Sequence, residues 1–165
     1  MSHLQYHAYP GFGQFILQNF GHQQAVRVGD RIECAGQGGW DPQTGEINTE
    51  IKAQIERAFE NVELCLRVSI LVFSPLPSAS VLGRREDGIT SNISQDAGGE
   101  GWKQVYRVNS YHVPMNDEAL KAMKAGFDKW MPDHKPIWTT IGVQRLGLDD
   151  MRVEIEVVAH VPKET

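Results

Sequence analysis

The sequence predicts an α+β domain in which two helices pack on one face of a mixed β-sheet. Two segments place apolar residues at intervals of three and four, as amphipathic helices do, and several others alternate apolar with polar residues, as half-buried strands do. Their order along the chain is hairpin, helix, strand, helix, strand, strand.

Gln24–Ala35 (QAVRVGDRIECA) alternates on both sides of Gly29-Asp30, a dipeptide suited to a tight turn, and reads as a β-hairpin. Asp41–Gly45 (DPQTG) follows as a turn, because proline presets φ and glycine accepts a left-handed conformation. Thr49 is the expected cap of a helix running to about Arg67, whose inner face is Ile51, Ile55, Phe59, Val62 and Leu66. Trp102–Val113 alternates as a strand. Asn116 or Asp117 then caps a helix that turns Leu120, Met123, Phe127 and Trp130 inward, and Pro132 closes it. Ile137–Val143 and Met151–Val161 supply the last strands, joined by Arg145–Asp150. The face of the sheet left bare by the helices needs a cover, and self-association is the simplest one.

A chain of 165 residues fits one domain able to bury a core without metals or disulfides. Its apolar runs are too short to span a bilayer, and Met1–Pro10 has neither the apolar stretch of a secretory signal nor the arginines of a transit peptide. Cys34 and Cys65 form no CxxC and no ligand cluster, so a reducing, cytoplasmic setting is expected, with a single disulfide as the alternative. The net charge of −5 and the lack of a basic run count against non-specific nucleic-acid binding. No P-loop, GxGxxG, HExxH or GxSxG is present, the histidines lack ligand spacing, and neither a metal nor a cofactor is expected.

Three blocks carry more information: CAGQGGWDPQTGEI from Cys34, NSYHVPM from Asn109, and PIWTTIGVQRLG from Pro136 followed by MRVEIEVVAH from Met151. In this order they resemble the Rid family (YjgF, or L-PSP endoribonuclease-like). The resemblance implies the chorismate-mutase-like (YjgF-like) fold and a homotrimer with small-molecule clefts lined by two subunits each. It also implies hydrolysis of reactive imines such as 2-imino acids, with an arginine gripping the substrate carboxylate and a glutamate positioning water.

By that resemblance the glutamate is Glu154, and the arginine position, two residues after Pro136, is held by Trp138. Indole offers a stacking face and one donor but no charge. A serine position is held by Ala35, ahead of the Gly36-Gln37 pair; a tyrosine position falls on His22 and an asparagine position on Lys124. Thr140 shares a strand face with Trp138 and is a candidate pocket wall. The chain thus resembles subgroups without the arginine. The expected function is binding of a small, aromatic or weakly charged metabolite in interface clefts, with imine or enamine hydrolysis as its chemistry. The alternative is a non-catalytic ligand-binding or chaperone-like trimer, and an endoribonuclease ranks below both.

Residues 68–95 open with an apolar run and then become rich in Ser, Pro and Gly. They read as an irregular insert within the single domain 1–165, expected to be exposed and dispensable. Two origins stay open: a loop insertion, or a translated retained intron. For the second, Val68-Ser69 is encodable as GTGAGT, Ser91-Asn92 as TCTAAC and Gln95 as CAG, matching donor, branch-point and acceptor sequences.

Overall fold

The computed structural model describes residues 2–71 and 100–162. In chain order the elements are β1 (Gln5–His7), α1 (Phe12–Phe20), β2 (Ala25–Val28), β3 (Arg31–Gly38), α2 (Ile51–Leu71), a 3-10 turn (Gly101–Gln104), β4 (Val105–His112), α3 (Asp117–Trp130), β5 (Ile137–Gly142) and β6 (Val153–His160). The six strands form one sheet in the order β1-β2-β3-β6-β4-β5. Only the β4–β5 pair is parallel; the other pairs are antiparallel. The α+β mixed sheet expected from the sequence is therefore present, with β1 and α1 in addition to it.

The hairpin turns at Gly29, whose φ of +64° is the conformation a first central turn residue needs here, while no described non-glycine residue has positive φ. β2 and β3 then pair from Val28↔Arg31 to Ala25↔Cys34. After β3, the Asp41 carboxylate accepts from the N–H groups of Gln43 and Thr44 at 2.8 and 2.9 Å, forming the turn at DPQTG. α2 starts one step later than expected. Glu50, not Thr49, caps it, its carboxylate accepting from the N–H groups of Lys52 and Ala53. The longer acid reaches the same unpaired donors that a threonine hydroxyl would.

All five residues of the expected inner face of α2, Ile51, Ile55, Phe59, Val62 and Leu66, are buried. They meet Met123 and Phe127 of α3 and, from the sheet, Ile32, Val108, Val153, Ile155 and Val157. Asn116 caps α3, accepting from the N–H of Ala119 at 3.0 Å. Trp102 lies in the 3-10 turn rather than in a strand; its indole is buried against Phe59 with ring centroids 4.8 Å apart and donates to the Phe59 carbonyl. Cys34 and Cys65 are both buried and form no disulfide.

Two buried amides on the same side of α2 tie the sheet to its connections. Asn61 donates to the carbonyls of Gly38 and Trp40 at 2.9 and 2.8 Å. Gln54 donates to the carbonyls of Asn48 and Asp150 and accepts from the N–H groups of Arg152 and Val153. The helix continues through 68–71 beyond its expected end at Arg67; the rest of the expected insert, 72–95, lies outside the described residues.

Replacing Asn61 by alanine strips the Gly38 and Trp40 carbonyls of a buried donor. The Asn61→Ala chain is expected to lose about 2–3 kcal/mol of stability in urea unfolding. Unchanged stability would show that these carbonyls find other partners.

Candidate functional site

Glu154 alternates with Val153 and Ile155, which face the helices, so its side chain leaves the opposite face of the sheet. It is pressed against β3 where that strand is irregular: the pairing with β6 shifts between Cys34 and Gln37, bringing Gly36 beside the Glu154 carboxylate. A Cβ at Gly36 would occupy the space of that carboxylate. Ala35 enters the bulge with its N–H bonded to the Gln24 carbonyl.

Gln37 does not face a ligand. Its amide is buried and donates to the Gln24 side chain and to the carbonyls of Ala35 and Gly36, at 3.0, 3.1 and 3.2 Å, while its oxygen accepts from the Tyr9 hydroxyl. Tyr9 accepts in turn from the Trp40 indole at 2.8 Å. The residue expected to touch ligand instead braces the bulge, because the backbone irregularity turns its side chain into the core.

Beside Glu154 opens a cleft of about 250 Å³, lined by His22, Gly36, Trp40 and Glu154, by Phe12, Ile16 and Phe20 of α1, and by Gly147, Leu148 and Met151 of the β5–β6 connection. Burial raises the Glu154 carboxyl above the usual glutamate range; the neighbouring Glu156 raises it further, and His22 opposes them. No hydrogen-bond donor among the described residues meets this carboxylate.

Trp138 and Thr140 lie elsewhere in the chain. In the register Tyr111↔Glu154 and Ser110↔Thr140, neighbouring residues share a face, so Trp138 and Thr140 point to the helix side and Glu154 away from it. The Trp138 ring sits edge-on to Phe127 at 5.0 Å, and its Nε1 donates to the Ser110 hydroxyl at 2.9 Å. Ser110 also meets Thr140 Oγ1 at 3.3 Å and His112 Nε2 at 3.0 Å. His112 is buried, and burial lowers its pKa. Lys124 belongs to neither group. It is exposed on α3 and paired with Asp128 one turn on, the helix period turning it about 100° from Met123 and out to solvent.

The sequence reading missed the α1 wall and the Ser110–His112 pair. A signal for the first was present: Phe12, Ile16 and Phe20 recur every fourth residue in FGQFILQNF. The second was visible only as alternate residues of NSYHVPM, with nothing to mark them as neighbours of Trp138.

Comparison with known proteins accords with this geometry. The profile of the family described as Endoribonuclease L-PSP matches residues 17–74 and 91–161. A RutC family protein of Pyrococcus abyssi is 29% identical over 140 residues, covering 84% of this chain and 85% of its own. One from Pyrococcus horikoshii is 27% identical over 140 residues, covering 84% and 86%. Among solved structures, RidA from an Antarctic Psychrobacter aligns over 98% of this chain and 100% of its own, with a TM-score of 0.63 and 21% identity. TdcF of E. coli, solved with bound serine, aligns over 84% and 87%, with a TM-score of 0.58 and 23% identity. These two share the fold with this chain. With the family profile matched on both sides of residues 75–90, and with this sheet and its helices, the chain belongs to the Endoribonuclease L-PSP family, the YjgF/Rid proteins.

Proposed function

We propose that the chain forms a homotrimer whose subunit-interface clefts bind a small metabolite and hydrolyse imines or enamines. The observation that carries this is the separation of the two half-sites. Glu154, His22 and Gly36 share one cleft, whereas Trp138 and Thr140 point from the other face of the same sheet. Within one chain they do not meet; across a subunit boundary they can. The outer edge β5 also leaves Ile137 and Ile141 exposed on the Glu154 face and Trp138 partly exposed on the other, apolar edge surface suited to a partner. A fold relative solved with bound serine supports a small-molecule cleft.

In the chemistry proposed, Glu154 takes a proton from water as the oxygen attacks the C=N carbon. The same proton then goes to the nitrogen, and the carbinolamine collapses to a carbonyl compound and ammonia. A carboxyl whose pKa is raised by burial is a stronger base than a solvated one. Trp138 leaves the site without a carboxylate clamp, and an ionised carboxylate leaving water needs a charged partner. The net charge of −5 and the largely apolar cleft walls count against RNA as substrate. Residues 68–95 remain proposed as an insert; of these, 75–90 fall between the two stretches matched by the family profile.

Sedimentation at micromolar concentration is expected to give a trimer, and a monomer would sink the interface-cleft reading. Ammonia release from 2-imino acids, generated in place by an amino-acid oxidase, is expected to be slow with the wild-type chain and faster with Trp138→Arg. Wild-type turnover already as fast as that of an arginine-bearing relative would refute the argument from charge.

Glu154→Gln is expected to lower imine hydrolysis by about two to four orders of magnitude. Its effect on stability follows from the sign of the shift. A carboxyl raised on folding costs nothing where both states are protonated, and ionisation destabilises the fold as pH rises from the unfolded to the folded pKa. Glu154→Gln should therefore raise Tm near pH ~8 and leave it unchanged near pH ~3, by calorimetry. An equal effect at both would mean that the substitution acts through packing.

A further inference from the structure

We propose that the Glu154 cleft selects a ligand with one apolar aromatic arm and one basic nitrogen, and rejects the corresponding carboxylate. The inference deepens the proposed function and rests on its placing the ligand in this cleft. The arm has a wall of its own. Phe12, Ile16 and Phe20 form one stripe of α1 facing Leu148 and Met151 across the opening, and Phe20 is 63% exposed, an aromatic surface without cover in the subunit. Phe12 is itself held in place, its ring 5.3 Å from Trp40 and stacked at 5.4 Å on Phe15. A volume of about 250 Å³, just below the range usual for ligand pockets, fits a single ring with a short chain.

The nitrogen has a partner too. Glu154 is half-buried, accepts no hydrogen bond among the described residues, and has the negative Glu156 beside it. Among the described residues, neither lysine nor arginine lines the cleft. On the adjoining connection the Arg145 guanidinium is exposed and paired with Asp149. An ammonium or iminium group therefore completes the one unpartnered charge, whereas a carboxylate would face a like charge with nothing to offset it. His22 lies exposed at the mouth, where its Nδ1 is 3.2 Å from the Gln23 carbonyl oxygen.

Titration calorimetry on the full chain tests this with phenethylamine, phenylalanine, phenylacetate and 2-phenylethanol. Phenethylamine is expected to bind at least about tenfold tighter than phenylalanine, with phenylacetate weakest. Glu154→Gln should weaken phenethylamine by about tenfold or more and leave 2-phenylethanol unchanged. Phe20→Ser, at an exposed position that folding does not need, should weaken both. Phenylalanine or phenylacetate binding as well as the amine, a Glu154→Gln chain that keeps its affinity for the amine, or no binding of any probe would overturn the inference. Binding of the amine without turnover of any imine would leave it standing and remove the hydrolytic reading alone. Turnover of imino acids by a chain that ignores phenethylamine would do the reverse.

Discussion

The position of the site depends on two amides buried under the sheet. Burying an uncharged polar side chain is unfavourable unless it is hydrogen-bonded, and Gln54 and Asn61 find their partners by reaching out of α2 to the chain on either side of the cleft. Asn61 holds the carbonyls of Gly38 and Trp40 just past the bulge in β3. Gln54 holds the end of the β5–β6 connection and the two N–H groups immediately before Glu154. One helix thus fixes both strands whose apposition brings the Glu154 carboxylate over Gly36. The bulge has its own brace in the line from Trp40 through Tyr9 to Gln37 and Gln24, so the irregular backbone needs no help from the ligand side.

Periodicity located what periodicity can locate. The inner faces of α2 and α3 repeat over several turns, and the strands flanking Gly29 alternate cleanly, so those elements were legible from apolar spacing alone. β1 has three residues and α1 is bounded by glycines with no side-chain cap; elements that short are held by tertiary contacts rather than by local preference. Phe12, Ile16 and Phe20 did carry a helical period, but a stripe of three residues between polar stretches is easily taken for scattered aromatics. The capping of α2 by Glu50 instead of Thr49 is a contest between adjacent side chains for the same N–H groups, decided by reach and not by residue preference.

Site residues were legible to the extent that alternation fixed their direction. Glu154 on a strand whose other side is Val153, Ile155 and Val157 has one way to point, and the structure places it so. Gln37 follows a bulge that no pattern marks, and the slip in register turned it inward. Lys124 was placed by position along a helix without regard to its azimuth, and the face of α3 it occupies is solvated. Alignment to a family carries over positions; what surrounds a side chain follows from packing.

The corner around Trp138 holds no acidic or basic partner among its contacts. Its indole meets Phe127, its N–H ends on Ser110, and Ser110 leads to Thr140 and to His112, whose pKa burial lowers. None of these residues offers a counter-ion, so a guanidinium here would be held by hydroxyls alone until a carboxylate arrived. On the opposite face the cleft at Glu154 has the complementary character: one acid, apolar walls and no fixed cation. Brought together across a boundary in the proposed trimer, the two faces would surround a ligand nitrogen with a carboxylate on one side and an aromatic ring on the other. Both favour a positive charge at that nitrogen, the first by direct pairing and the second through the face of the ring. In that proposed trimer, Trp138 and the apolar wall of α1 would act together, favouring a cation beside an apolar arm.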